Sequence, residues 1–477
     1  MMKKIKIFTA ILAMILLNIG CTGDFSELNE DPNRIAEISP GTLINPIIYG
    51  LATHNANRSA SVTFNLMQVS LPFPSVSGGL HRYDLSQEIG ASSWNNYYKW
   101  LNNIKEMKIA AIRAEDPNYE AIALTLNAWV YANLTDIFGP VPMTEAVSGE
   151  EGNLYPAFDS QELIYKTILA DLERANTLYK TSSPMVYASD ILFQNDVKKW
   201  KKFTNSLQMR LLLRISNRSE TNAFQKLATM IQNPILYPVF ENTAESAILK
   251  VTGVTPNVSP WGRPQDFSLN VKIASFFIDN LNTMLDPRRP IIASVATDMN
   301  TISIGYKGIP SAYVGAESQF AYNASTFNSA QITNPMNIFL LTYAEVEFIK
   351  AETAQRGFTT EAELHYKKGV QAAMEQLGVT ITTTYFDSQL ATYDGTLERI
   401  MLQKYYALYF IDYQQWFEYR RTGFPILPKT TAMENNAIMP SRFFYPTSIQ
   451  INNQQNYLKA VEILGTDDVN TKVWWDK

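Results

Sequence analysis

Residues 124–140 read LTLNAWVYANLTDIFGP, and this stretch decides the fold class of the chain. Side chains suited to packing recur at spacings of four, three and four residues, at Leu124, Ala128, Tyr131 and Thr135. These spacings place them on one face of a helix. The Gly-Pro pair that closes the stretch predicts the end of that helix. The segment therefore predicts one long helix whose face mixes small and large side chains.

The same periodicity recurs along the chain and predicts further helices. They cover residues 164–179, 198–216, 344–354, 366–377 and 396–419. Alanines and aromatics share these faces, so we expect closely packed antiparallel helix pairs that resemble a tetratricopeptide solenoid, although no fixed period is evident. Strand signals are confined to residues 247–251 and 291–296. The predicted fold class is mainly α: a tetratricopeptide-like α-α superhelical scaffold with long ligand-binding loops and little strand.

The N-terminus has the layout of a secretion signal. Three lysines within the first six residues precede an apolar run over residues 7–19, which is short for a membrane span. Cys21 follows directly and is the only cysteine of the chain, so no internal disulfide is possible. We interpret residues 1–20 as a lipoprotein signal peptide, Cys21 as the lipid-attachment site and residues 21–45 as a tether. The alternative is an ordinary signal peptide followed by an incidental cysteine.

Composition and loop lengths describe the rest of the chain. The formal net charge of −5 argues against nucleic-acid binding. Residues 46–477 are predicted to form a single helical domain with long loops. Loops of this length are usually functional or disordered, and their aromatic content argues against disorder. These loops are rich in aromatic residues and lie near 72–92, 252–268, 300–335 and 424–450.

Several short blocks of sequence resemble one protein family. In chain order they are LNEDPN at 28–33, YANLTDIFGPVP at 131–142, KWKKF at 199–203, LTYAE at 341–345, WFEYRRTG at 416–423 and VWWD at 473–476. Together they resemble the SusD/RagB family of nutrient-binding outer-membrane lipoproteins of the Bacteroidetes, and they look most like its SusD-like branch. The blocks themselves favour a structural role, with Glu345 and Glu352 pairing with Arg420 and Arg421 between helices. The alternative is that these arginines cradle an anion.

The resemblance carries expectations about function. It implies a lipid-anchored protein on the cell surface that captures an oligosaccharide, or in some members a peptide. It also implies a SusC-like TonB-dependent transporter as the partner, and no enzymatic activity. No cofactor is expected, and a structural calcium ion is left open. The family motifs do not assign a ligand-binding residue.

Physical chemistry instead selects candidates for ligand contact. Flat aromatic rings match the C–H faces of sugars, and polar side chains beside them replace the water lost by the hydroxyls. Residues of these types, on the loops or, for Trp94, at the start of the helix that follows, are Phe73, Arg82, Tyr83, Asp84, Trp94, Trp261, Phe267, Tyr313 and Tyr322. For each aromatic residue, the alternative is that it anchors its own loop to the scaffold. Trp100, Trp129, Trp200 and Trp416 lie within helical patterns and are predicted to be core residues.

Two other classes of function stay open beside the receptor. The histidines His54, His81 and His365 have no metal-ligand spacing, and no phosphate loop, dinucleotide fingerprint or serine elbow is present. An envelope-anchored glycoside hydrolase would need only two carboxylates that meet in space. A helical scaffold that binds only protein is the third hypothesis.

Overall fold

The computed structural model describes residues 38–477. The predicted signal peptide and the lipid-attachment site at Cys21 lie outside the described residues. Residues 40–45, which the sequence assigned to the tether, form the start of the first described helix. Residues 39–477 form one compact unit.

The helices are numbered in chain order. They are α1 (Pro40–Arg58), α2 (Phe64–Leu66), α3 (Ala91–Arg113), α4 (Pro117–Phe138), α5 (Gln161–Leu178), α6 (Val197–Arg214), α7 (Ala223–Gln232), α8 (Ser275–Thr283), α9 (Arg289–Ile292), α10 (Tyr343–Gln355), α11 (Ala362–Glu375), α12 (Leu397–Ala407), α13 (Gln414–Thr422), α14 (Thr447–Asn452) and α15 (Gln454–Leu464). The strands are β1 (Ser70–Pro72), β2 (Ala247–Val251), β3 (Val271–Ile273), β4 (Thr297–Asp298), β5 (Tyr322–Asn323) and β6 (Met336–Leu341). They form the antiparallel pairs β1–β3, β2–β6 and β4–β5.

Local sequence sets the ends of the long helices. Asp116 caps α4 by accepting from the backbone N–H groups of Asn118 and Tyr119, and Pro117 occupies the first turn. At the other end, Gly139 has a φ of 86°, so α4 stops where the sequence predicted. Asp196, at the start of α6, caps that helix in the same way.

Consecutive helices pack on one another, as the mixed small and large faces predict. α3 packs on α4, α4 on α5, and α10 on α11. A Cβ added to Gly50 of α1 would stand 1.9 Å from the Trp100 ring of α3. One added to Gly369 of α11 would stand 3.0 Å from the Phe348 ring of α10. Small residues on one helix therefore admit the large rings of the next. The fold class is confirmed: mainly helical, with short strands.

The four tryptophans predicted to be core residues are buried. Trp200 and Trp416 are fully buried, Trp129 is 2% exposed and Trp100 is 9% exposed. The indole N–H of Trp416 donates to the carbonyl of Pro440. Within residues 38–477, no helix has the length and apolar character that a membrane span requires.

A buried ion-pair network joins helices far apart in sequence. Arg421 of α13 donates to both carboxylate oxygens of Glu352 in α10, at 2.7 and 2.6 Å, and to Glu418 at 2.7 Å. Lys404 of α12 also pairs with Glu418, at 2.8 Å. Burial alone would raise the pKa of Glu418, but Arg421 and Lys404 hold that pKa well below its ordinary value. The expected pairing of Arg421 with Glu352 is present.

Glu345 and Arg420, the other two residues expected in this network, pair with residues other than those expected. Glu345 pairs with Arg210 of α6, whose Nε donates to the carboxylate at 2.7 Å. Arg420 instead pairs with Asp476 near the C-terminus, at 3.5 Å. Arg210 and Asp476 were not among the residues expected in this network, and side-chain periodicity does not indicate which distant helix or terminus supplies a partner.

Two predicted elements are corrected by the structure. The strand at 247–251 is present as β2, but residues 291–296 contain the end of α9, and only Ala293 there forms an isolated bridge, to Phe327. Residues 396–419 are not one helix but α12 and α13, with a turn between them. Phe410 and Asp412 have φ values of 67° and 29° in that turn, and this backbone cannot continue a right-handed helix.

Candidate ligand-binding site

Two loops bring four aromatic rings together beside the scaffold. We call Phe73, Tyr313, Phe320 and Tyr322 the loop aromatic cluster. The ring centroids of Tyr313 and Phe320 lie 5.1 Å apart, those of Phe320 and Tyr322 5.8 Å, and those of Phe73 and Tyr313 6.1 Å. Separate from the main core, these rings pack on an apolar base that includes Leu71. Phe73, Phe320 and Tyr322 remain partly exposed.

Antiparallel pairing of β1 with β3 positions the Phe73 loop. The backbone N–H of Phe73 donates to the carbonyl of Asn270 at 2.8 Å, just beyond the paired strands. On the facing loop, the hydroxyl of Tyr322 donates to the carbonyl of Gly308 at 3.0 Å. The hydroxyl of Tyr313 is buried and has no hydrogen-bond partner among the described residues. The cluster therefore combines fixed backbones with ring faces that solvent can still reach.

Arg82 ties the two loops together. Its side chain is only 8% exposed, and its guanidinium donates to Ser75 Oγ at 3.0 Å and to the Tyr313 carbonyl at 2.9 Å. It also donates to His81 Nε2 at 3.3 Å. Burial, together with the charge of Arg82, lowers the pKa of His81 to about 4, so that ring accepts as the neutral form. This position favours a role for Arg82 in holding the loops.

Tyr83 and Asp84, next to Arg82, differ in accessibility. Tyr83 is 2% exposed, and its hydroxyl accepts from Gln68 Nε2 at 3.0 Å. Its burial favours the alternative in which the ring anchors its own loop. Asp84 is exposed, and its carboxylate accepts from the backbone N–H of Gly79 at 3.2 Å. Asp84 is thus the polar candidate of this loop that a ligand can reach.

Trp261 and Phe267 form a second aromatic group. The Phe267 ring stacks on Phe327 with centroids 4.8 Å apart and is 4% exposed. Trp261 meets Phe267 edge to face at 5.6 Å and is partly exposed. Both rings also contact Phe410, in the turn between α12 and α13. Phe267 therefore packs its loop onto the core, while part of Trp261 stays accessible.

Trp94 lies in a third place, apart from both aromatic groups. It is 5% exposed and packs on Tyr98 and Phe138, with centroids 5.0 and 5.1 Å away. It borders a cavity of about 200 Å³ that Tyr155 and Phe158 also line. The structure thus gathers Phe73, Arg82, Tyr313 and Tyr322, and it places the other aromatic candidates elsewhere or in the core.

Two lysines beside the loop aromatic cluster were not among the sequence candidates. Lys307 Nζ lies 4.0 Å from the centroid of the Tyr322 ring, and Lys272 Nζ lies 5.5 Å from that of Phe73. Burial lowers the pKa of Lys272, whose ammonium also donates to the carbonyl of Ala324 at 3.0 Å. A cation over a ring face is favourable. No local motif marks Lys272, because strand pairing alone brings it to Phe73.

Within residues 38–477, no group of three or more His, Cys, Asp or Glu side chains is arranged to hold a metal ion. His365, for example, hydrogen-bonds Glu347 at 2.7 Å on the scaffold.

Comparison with known proteins assigns the fold to a family. The family model described as "Starch-binding associating with outer membrane" matches residues 32–446. The helical scaffold is that of the SusD-like proteins, and the chain belongs to the SusD-like family. The resemblance noted in the sequence is therefore confirmed. The chain has no detectable match among curated protein sequences.

Solved structures share this fold at low identity. A chitin-binding protein superposes with a TM-score of 0.79 at 24% identity, covering 92% of this chain and all of the other. A SusD homologue from Bacteroides fragilis NCTC 9343 gives 0.77 at 22% identity, with the same coverage. A chitin-binding SusD homologue from Flavobacterium johnsoniae gives 0.74 at 20% identity, covering 91% of this chain and 99% of the other. At these identities the superpositions establish the fold alone.

Proposed function

We propose that this protein is a cell-surface receptor that captures an oligosaccharide and delivers it to a SusC-like TonB-dependent transporter in the outer membrane. Lipid attachment at Cys21 would hold it there. Family membership supports this proposal, as do the names of two structural relatives described as chitin-binding. A peptide is the alternative ligand class. The receptor carries no catalytic role in this proposal.

The loop aromatic cluster is the observation that carries the proposal. Its rings come from two loops, rest on their own apolar base and keep part of their surface in solvent. Partly exposed rings that are already ordered can stack on sugar rings at little cost in conformational entropy. Asp84, on one of these loops, and Asn323, next to Tyr322, are exposed groups that can hydrogen-bond hydroxyls.

A binding screen with matched variants tests this function. The body of the protein, beginning after Cys21, is screened against starch, chitin and other oligosaccharides and against peptides. We expect one glycan class to bind, and Tyr322→Ala to weaken its affinity by up to about tenfold, since an aromatic stacking contact contributes roughly 0.5–1.5 kcal/mol. Phe358→Ala is the control, because Phe358 is a 42% exposed ring on the scaffold that stacks on Phe224.

The other outcomes separate the competing hypotheses. Affinity that survives replacement of both Tyr322 and Phe73 would place the site outside the loop aromatic cluster. Release of shortened glycan would indicate a hydrolase. Transporter binding without affinity for any glycan or peptide would favour a protein-binding scaffold.

A further inference from the structure

The helical scaffold contains a large cavity that shares no lining residue with the loop aromatic cluster. It lies among α5, α6 and α7, near the C-terminal Trp474, and its volume is about 730 Å³. Ligand cavities typically have volumes of about 300–1,000 Å³. Its walls combine aliphatic side chains, among them Leu169, Leu212 and Met230, with polar groups and the rings of Tyr165, Tyr237 and Trp474. The aliphatic part of the wall accepts apolar side chains, and the rings accept flat planar groups.

One carboxylate of this cavity has only neutral partners. Glu173 accepts from Gln208 Nε2 at 3.0 Å and from the hydroxyl of Tyr237 at 2.9 Å. In the described part of the chain no lysine or arginine pairs with it. The other two glutamates that line the cavity are paired, Glu162 with Lys166 and Glu220 with Arg218. Glu173 therefore keeps a negative charge that a ligand can neutralise.

A buried acceptor lies beside that carboxylate. Gln208 is 7% exposed, and its Oε1 has no hydrogen-bond partner within residues 38–477. The amide cannot rotate to pair Oε1, because its Nε2 must donate to Glu173. A buried acceptor without a partner has lost its hydrogen bonds to water, and a ligand with a donor would replace them. Trp474, which also lines the cavity, has a buried indole N–H without an acceptor among the same residues.

The charges of the cavity point to a cationic ligand. Three glutamates and two lysines line it, and Arg218 balances Glu220, so Glu173 is the one lining carboxylate without a cationic partner in the described chain. Lys226 has no carboxylate partner in the described chain, but it is exposed and does not neutralise Glu173. A ligand that fits must bring a cation to Glu173, apolar groups to the aliphatic wall, and both a hydrogen-bond donor and an acceptor.

We propose that the cavity among α5, α6 and α7 is a second binding site, which takes a short extended peptide with a basic side chain. The guanidinium or ammonium of that side chain pairs with Glu173 and donates to Gln208 Oε1. The peptide backbone supplies the additional donor and acceptor, and neighbouring aliphatic side chains pack on the wall. An arginine fits best, because its planar fork can meet two acceptors at once.

Calorimetry with two isosteric peptides tests this site. The purified protein is titrated with a blocked pentapeptide that has a central arginine between two leucines, and with the same peptide carrying citrulline in place of arginine. We expect the arginine peptide to bind about tenfold or more tightly, since a hydrogen bond to a charged group contributes roughly 1.5–3 kcal/mol. Added salt should reduce this preference.

Variants of residues that line the cavity on α5 and α6 locate the effect. Glu173→Gln should remove the preference for arginine over citrulline, while Glu162→Gln should retain it, because Glu162 already pairs with Lys166. Gln208→Leu should weaken binding of the arginine peptide and supports the site even if Glu173→Gln folds poorly. The thermal midpoint of each variant controls for folding.

Several results would overturn the proposal. The first is the absence of peptide binding, and the second is equal binding of the two peptides. The third is an arginine preference that persists in both Glu173→Gln and Gln208→Leu. Loss of peptide binding in Tyr322→Ala would assign the peptide to the loop aromatic cluster instead. Loss of glycan binding with intact peptide binding would count against the proposed receptor function alone.

Discussion

At the scale of single residues, burial decides what a charge contributes. Glu352 is fully buried against Arg421, whereas the Glu363–Lys367 pair of α11 is exposed on both sides. Glu352→Gln would leave the guanidinium of Arg421 partly unpaired, and we expect a loss of about 3–5 kcal/mol in the free energy of unfolding. Glu363→Gln should change it by less than about 1 kcal/mol. Urea unfolding of both variants checks this, and equal midpoints would contradict it.

His81 gives a second prediction at this scale. Its pKa is about 4 in the folded protein and near 6.5 when exposed, so the unfolded chain binds the extra proton between these values. Stability should therefore fall as the pH falls from 6.5 towards 4. His81→Gln keeps a hydrogen-bond acceptor for Arg82 but does not titrate. Between pH 6.5 and 4, the free energy of unfolding should therefore fall less in this variant than in the unmodified protein, by a difference of about 3 kcal/mol at most. Denaturant unfolding at several pH values in this range measures that difference.

The sequence predicted the burial of single side chains correctly where residues nearby in the chain determine that burial. The helical tryptophans were placed in the core because periodicity determines which face is buried. The role of Arg82 was not foreseen, because the Tyr313 carbonyl that it binds is 231 residues away. Accessibility in a long loop depends on such distant partners, and loop composition alone does not reveal them.

At the scale of elements, helices were easier to predict than their interruptions. The periodic spacing of packing residues through Tyr131 correctly predicted α4 and its end at Gly139, because both the periodicity and the terminating glycine are local features of the sequence. The break between α12 and α13 has no glycine or proline. There, tertiary packing holds Phe410 and Asp412 in left-handed backbone conformations. A short apolar run such as 291–296 fits a strand or a helix end equally well.

The two loops of the candidate site should behave as one linked element. Arg82 joins residues 72–84 to residues 306–323, so Arg82→Met should speed amide hydrogen exchange in both ranges. The helical core is untouched, so the loss in the free energy of unfolding should not exceed that of the unpaired hydrogen-bond acceptors, about 1–3 kcal/mol. Arg263→Met is the control, since Arg263 pairs with Asp266 within its own exposed loop. Faster exchange confined to residues 72–84 would contradict the link.

At the scale of the whole molecule, residues at the C-terminus are hydrogen-bonded to a helix in the first third of the chain. The indole N–H of Trp475 donates to Asp136 of α4 at 2.7 Å, and the Arg420 guanidinium lies 4.4 Å from the ring centroid. Trp475→Ala should lower the free energy of unfolding by about 3–5 kcal/mol. Removal of the exposed Lys477 alone should have little effect. An unchanged denaturation midpoint for Trp475→Ala would show that the contact contributes little.

The separate apolar base of the loop aromatic cluster has a consequence for how such proteins diversify. Substitutions among rings outside the main core leave the packing of the helices intact, so new ligand preferences can arise without refolding the scaffold. Relatives with only 20–24% identity still superpose with TM-scores of 0.74–0.79. The loops that carry these rings can therefore change in sequence during evolution while the helical scaffold stays the same. Chimaeras that graft these loops onto the helices of a relative offer a direct route to altered ligand specificity.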